Sequence, residues 1–234
     1  MTSVVCNEHQ LLAATLPMKL KTPFLLWLEC LGILVAIPIV LSRWNSPLVL
    51  IITLSLATAG TAAWLLYGDN SFDRRQLWFP TDLAVERIQL RNVLLRFAVS
   101  LILLVAFVWV VYPANLLDIP RQRPLLWVII MLTYPLLSVY PQEVIYRAFF
   151  FTRYASLFPS VRFLALASTI TFGLLHIVFH NFLAVGLTLI GGWFFSDTYA
   201  GTKSLRLVCL EHTLYGMTIF TVGLGKYFYA FGNL

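Results

Sequence analysis

Residues 141–181 read PQEVIYRAFFFTRYASLFPSVRFLALASTITFGLLHIVFHN. The stretch is apolar in setting, yet it carries Gln142, Glu143, Arg147, His176, His180 and Asn181. A charged side chain at bilayer depth costs roughly 2.5–3.5 kcal/mol on insertion scales, so a chain that keeps several inside apolar segments puts them to use. Glu143 and Arg147 are four apart, which stacks them on one helix face where they can neutralise each other. His176 and His180 share that spacing, so both rings are expected on one face of a second helix. A carboxylate helix facing an imidazole helix would make a polar pocket inside the membrane.

The rest of the chain supplies that membrane. Of 234 residues, 60% are hydrophobic and 11% charged, and the mean hydropathy is +0.85. Soluble domains run at about 45–50% apolar and about 25% charged, so the composition is that of an integral membrane protein. Apolar runs close to the length needed to cross a bilayer fall at 23–41, 47–67, 94–113, 124–157, 161–179, 182–199 and 204–223. The fourth is too long for one straight span. Pro135 and Pro141 are expected to break it into a crossing helix to about Tyr140 and a second helical piece from Pro141. Glu143 would then lie in a first turn, where free N–H groups favour an anion. The expected fold is all-α, a polytopic transmembrane helical bundle of about seven or eight membrane helices.

One domain over residues 23–234 is the simplest organisation, preceded by an N-terminal segment, 1–22, without the pattern of a removable signal peptide. Charge bias sets the sidedness. Arg147 aside, four basic residues (Arg43, Arg121, Arg123, Lys226) fall on one side of the alternating spans and eleven on the other. The positive-inside rule then places the N-terminus in the cytoplasm. Residues 83–95 pattern as an amphipathic helix at the headgroups, and a solvated loop fits them equally well.

The net charge of +6 does not mark a nucleic-acid binder, because the basic residues sit between apolar runs and no nucleic-acid motif is present. Cys6, Cys30 and Cys209 form neither a disulfide framework nor a CxxC pair.

Three motifs follow in order. Gln142-Glu143-Val144-Ile145-Tyr146-Arg147 resembles the EExxxR motif of the CAAX-protease and bacteriocin-processing (CPBP, or Abi) family of intramembrane proteases. Phe172-Gly173-Leu174-Leu175-His176 is similar to that family's FxxxH, and His212-Thr213-Leu214-Tyr215-Gly216 aligns with its HxxxN. The resemblance covers about residues 125–220.

The resemblance implies an intramembrane peptidase acting on a membrane-anchored protein or peptide. In such an enzyme a motif-one glutamate and the motif-two histidine activate water, while the third motif stabilises the oxyanion. On this chain those roles fall to Glu143, His176 and His212, with Arg147 holding the carboxylate helix and Gln142 forming a polar wall. Two positions depart from the pattern. Gln142 stands where the family has its first glutamate, and an amide accepts no proton at a useful pH. Gly216 stands where the family has asparagine, which leaves the oxyanion to His212, a water or a group such as Tyr215.

Other readings of the same residues stand beside this one. Glu143 and Arg147 also fit a purely structural ion pair. A dedicated processing peptidase that removes a C-terminal sorting segment, a catalytically silenced membrane scaffold or immunity protein, and a small carrier using His176, His180 and Glu143 are the rival functions. The i, i+4 histidines have the spacing of zinc ligands, with Glu143 or His212 to complete a set. No HExxH is present, and a required metal is not the favoured reading. Glu211, next to His212, fits either a buried hydrogen-bonded couple with it or a place at a helix end. Glu29, in the first apolar run, needs a polar partner that the sequence does not name.

Overall fold

The computed structural model describes residues 23–43, 46–70, 72–79 and 82–228. The proposed N-terminal segment, 1–22, lies outside the described residues, as does Cys6. The described chain is helical throughout and contains no strand. Its long elements are α1 (Pro23–Leu41), α2 (Pro47–Ala63, continued by a wide turn to Gly68), α3 (Leu83–Val111), α4 (Pro124–Arg153), α5 (Val161–Leu175), α6 (Phe182–Thr202) and α7 (Leu205–Val222). α1, α3, α4 and the run of α5 into Val161–Phe179 are long and apolar enough to cross a membrane. The protein is an integral membrane protein built as a helical bundle.

The helix starts are written in the sequence. Ser46 precedes α2 and accepts from the Val49 N–H, with Pro47 in the first turn. Asp82 Oδ1 accepts from the N–H groups of Ala84 and Val85 at 2.8 and 3.2 Å and opens α3. Asn181 caps α6 through Ala184 at 2.8 Å, and Ser204 caps α7 through Leu207 at 3.2 Å. α7 closes on Gly223 at φ 108°, a left-handed position where glycine carries no steric cost.

Two expectations about these elements are corrected. α4 is one continuous run, and neither Pro135 nor Pro141 breaks it. The helix widens into π turns at Pro135–Val139 and Val144–Phe149, on either side of the α-helical turn that holds Pro141, without ending the element. Glu143 therefore sits inside a long helical run, not at a helix start. Residues 83–95 are neither a separate surface helix nor a loop, but the first part of α3. Asp82 starts the helix, and no glycine or proline interrupts it before Val111.

Buried and half-buried ion pairs tie the bundle together. Arg153, at the end of α4, meets Glu29 of α1 through two bonds of 2.9 and 2.8 Å, with the Tyr154 hydroxyl 3.4 Å from the same carboxylate. That supplies the partner for Glu29. Arg96 of α3 binds Glu211 of α7 at 2.6 Å, Thr198 of α6 at 2.8 Å and Asp197 at 3.3 Å. Arg206 and Ser204 hold Glu86 at 2.6 and 3.1 Å.

α5 and α6 pack closely because glycines face the neighbouring helix. A Cβ on Gly173 would run into Leu189, and one on Gly192 would stand 2.9 Å from the Phe172 ring. Small residues at such a crossing let apolar helices approach where no water is available to drive association. Phe172 of α5 and Phe195 of α6 meet edge to face with centroids 6.1 Å apart, and they form the floor of the polar site.

Candidate functional site

Glu143 is fully buried on α4, and its two carboxylate oxygens have different partners. Oε1 lies 2.7 Å from Nδ1 of His212 on α7. Oε2 lies 3.2 Å from Nε of Arg147, one turn along α4, an ion pair whose N–H does not point at the oxygen. The i, i+4 spacing thus delivers the contact expected of it. Arg147 is fully buried as well, and its remaining donors reach Ser168 Oγ at 3.5 Å and the Gly192 carbonyl at 3.4 Å. Its guanidinium lies over the Phe172 ring, 4.9 Å from the centroid.

His212 is held on every side. Its ring stacks on Phe195 at 4.5 Å, Phe172 meets it edge-on at 5.6 Å, and Nε2 lies 3.2 Å from the Tyr134 hydroxyl. Nδ1 faces a carboxylate, an acceptor, so Nδ1 carries hydrogen. The expected couple of Glu211 with His212 does not form. Consecutive helical residues diverge by about 100°, and Glu211 turns to Arg96 and Thr198 on the other side of α7.

His176 begins the 3-10 turn His176–Phe179 at the end of α5. Its Nδ1 is 2.8 Å from the Phe172 carbonyl, which can only accept, so Nδ1 carries hydrogen and Nε2 is the lone-pair nitrogen. Among the described residues no hydrogen bond joins His176 to Glu143 or His212. His180 does not share its face. The α-helix ends at Leu175, the turn tightens, and His180 takes a left-handed φ of 54° and is exposed. Asn181 serves as the cap of α6 and donates to the Tyr227 carbonyl at 2.8 Å. Among the described residues no three His, Cys, Asp or Glu side chains are grouped to hold a metal ion, and the break at Leu175 is why the i, i+4 histidines do not contribute a pair.

A cavity of about 550 Å³ opens beside these groups. Gln142, His176 and His212 line it, together with Tyr134 and Ser138 of α4 and Ser100 and Tyr215. Leu103, Leu104, Phe107, Leu183, Leu187 and Ile190 are among the apolar side chains that line the remainder. Glu143 and Arg147 are not in the wall. Gln142 donates from Nε2 to Ser138 Oγ at 2.9 Å, while its buried Oε1 has no hydrogen-bond partner among the described residues. Tyr215, a sequence candidate for the oxyanion, has its hydroxyl 3.4 Å from Ser100 Oγ.

Tyr134, Ser138 and Phe195 enter the site without having been singled out in the sequence. A signal for two of them was present. Tyr134, Ser138 and Gln142 recur at i, i+4 and i+8 on α4, a helical spacing that can set three polar side chains in one row. Phe195 had no such signal, since it follows Trp193 and Phe194 as one more aromatic residue of an apolar run.

Residues 124–218 match the family model for the Rce1-like domain, described as type II CAAX prenyl endopeptidase Rce1-like. No curated protein and no solved structure matches the chain. The matched segment is similar to that domain, and it spans all three motifs on which the CPBP resemblance rests. The matched family is a family of proteases.

Proposed function

We propose that this protein hydrolyses a peptide bond in a membrane-anchored substrate, with water activated inside the bundle. The observation that carries this reading is the cavity. It is apolar over most of its wall, yet Gln142 and two imidazoles in defined tautomers, His176 and His212, reach it from three different helices. An apolar groove with a few placed polar groups fits a membrane-borne peptide better than a charged solute.

In this mechanism His176 Nε2 takes a proton from the attacking water, and the Gln142 carbonyl oxygen accepts the water's other hydrogen and orients it. His212 faces the developing oxyanion. Glu143 works through His212: its carboxylate fixes the ring and its tautomer, as the buried carboxylate does in hydrolase triads. Arg147 balances that carboxylate and anchors it to α5 and α6. The proton on His176 then passes to the leaving amine, so no proton is gained or lost over the cycle. We place the N-terminus in the cytoplasm on the charge bias of the connections.

A second reading has a specific observation behind it. Gln142 places an amide in the cavity wall where the resemblance calls for a carboxylate, and a silenced scaffold would look the same. Comparing membrane-protein fragments in cells that carry wild type, His176→Ala or Gln142→Glu decides between them. A product made by wild type and lost in His176→Ala supports hydrolysis and names the substrate. A product that appears with Gln142→Glu alone supports the silenced relative.

A further inference from the structure

Gly216 lies one turn after His212 on α7, and the space that a side chain there would fill is taken. A Cβ built on Gly216 would overlap the phenol of Tyr134, meeting its hydroxyl oxygen, Cε1 and Cζ. The absent side chain of α7 and the tyrosine of α4 therefore occupy one place. That place is chemically placed too, because the Tyr134 hydroxyl is 3.2 Å from His212 Nε2 and Tyr134 lines the cavity.

We propose that Tyr134 is a catalytic residue whose hydroxyl donates the hydrogen bond that holds the substrate carbonyl oxygen as it becomes an oxyanion. The proposal rests on the endopeptidase reading above and adds to it the donor that Gly216 cannot supply.

The three groups form a line: Glu143 Oε1, His212 Nδ1 at 2.7 Å, then His212 Nε2 and the Tyr134 oxygen at 3.2 Å. Nδ1 carries hydrogen whether the ring is neutral or charged, because it faces a carboxylate. In the neutral ring, Nε2 accepts the phenol hydrogen and the hydroxyl is engaged. As the oxyanion forms, the phenol hydrogen turns about its C–O bond from Nε2 into the cavity, and no proton changes place between His212 and Tyr134. Arg147 and Glu143 sum to zero, and the charge that His176 gains with the water's proton offsets the oxyanion's single negative charge. Tyr134 forms no covalent bond and keeps its proton.

The ring itself is set by packing that does not depend on the hydroxyl. Tyr134 meets Phe220 edge to face at 5.4 Å and His212 at 6.1 Å. Tyr134→Phe therefore removes the donor and leaves the wall in place. A side chain at 216 points into the same space, so Tyr134→Ala with Gly216→Asn offers an amide donor where the phenol was.

The experiment measures kcat and KM in lipid nanodiscs for wild type, Tyr134→Phe, Tyr134→Ala and the Tyr134→Ala/Gly216→Asn pair, on the substrate found by the fragment comparison. Loss of one oxyanion donor lowers kcat by about 10²–10³-fold, so Tyr134→Phe is expected in that range with KM within about twofold. The paired variant is expected to recover kcat by at least about tenfold over Tyr134→Ala. Tyr134→Phe with wild-type kcat overturns the proposal and leaves the endopeptidase reading standing. So does a loss that tracks a lowered melting temperature, with no recovery in the pair. If neither wild type nor Gln142→Glu yields any product, both the proposal and the endopeptidase reading fall together.

Discussion

Glu143 Oε1 and His212 Nδ1 are 2.7 Å apart across 69 residues of chain, and this bond joins the first motif to the third. It places a carboxylate behind an imidazole, not in the wall of the cavity. The same carboxylate is tied to Arg147, so the site's geometry and its electrostatic balance depend on one residue.

Removing that carboxylate leaves Arg147 buried without its counter-charge. Breaking a buried pair from one side costs about 3–5 kcal/mol, whereas replacing both members with apolar side chains costs much less. Glu143→Gln is expected to lower thermal stability in detergent markedly, and Glu143→Leu combined with Arg147→Met to lower it less than Glu143→Gln does. A double variant that is the least stable of the set would show that the pair contributes more than mutual neutralisation.

Arg96 is the second such case, and it is not itself among the residues that line the cavity. Its guanidinium is 2.6 Å from Glu211, which is fully buried and has Thr198 as its other partner at 2.7 Å. Arg96→Leu is expected to destabilise the bundle by about 3 kcal/mol, the low end of the buried-pair range, because Arg96 itself is partly exposed. Thermal unfolding of Arg96→Leu against Arg96→Lys measures this. Equal stability of Arg96→Leu and wild type would mean that Glu211 is solvated in the membrane-embedded protein.

The all-helical bundle, its spans and the three motifs were legible in the sequence because hydropathy and i, i+4 spacing report directly on helices in lipid. Glu143 with Arg147 is the clearest example, since a local spacing dictated a local contact. What the spacing could not reveal was where a helix stops. His176 and His180 sit at the same interval as Glu143 and Arg147, yet the turn after Leu175 sends them apart. Pro135 and Pro141 read as breaks, yet the helix runs on through both with π turns before and after Pro141, a local adjustment by which membrane helices tolerate proline. The partners of Glu29 and Glu211 were hidden for another reason. Both bonds join residues more than a hundred positions apart, and no local pattern encodes such a distance.

Gln142 offers a direct handle on turnover. Its Oε1 is buried, lines the cavity with its residue and has no hydrogen-bond partner among the described residues, so a carboxylate oxygen at that point would meet no repelling neighbour that the amide oxygen does not already face. Gln142→Glu adds a proton acceptor to the wall beside His176. General-base catalysis contributes about 10²–10⁴-fold, and turnover is expected to rise by an amount toward the lower end, since an imidazole is already present. Single-turnover cleavage at fixed substrate is the measurement. A fall in rate would show that the amide is required as an amide, through its 2.9 Å bond to Ser138.

The last prediction tests whether packing behind the site controls the site. Gly192 touches neither the cavity nor a reacting group, but a Cβ there would stand 2.9 Å from Cδ1 of Phe172. Phe172 cannot yield freely. Its ring lies under Arg147 at 4.9 Å, against His176 at 4.8 Å and edge-on to His212 at 5.6 Å, and its carbonyl fixes the His176 tautomer. An added methyl group in a close-packed interior typically costs about 1–3 kcal/mol. Gly192→Ala is therefore expected to be mildly destabilised and to lose activity beyond what its folded fraction explains. Gly60→Ala is the matched control, because a Cβ at that position meets nothing within 4 Å and Gly60 does not line the cavity. Cleavage per folded molecule, with folded protein quantified by size-exclusion chromatography, separates the two. Equal specific activity of Gly192→Ala and Gly60→Ala would mean that Phe172 moves without carrying the imidazoles with it, and that the aromatic floor is packing alone.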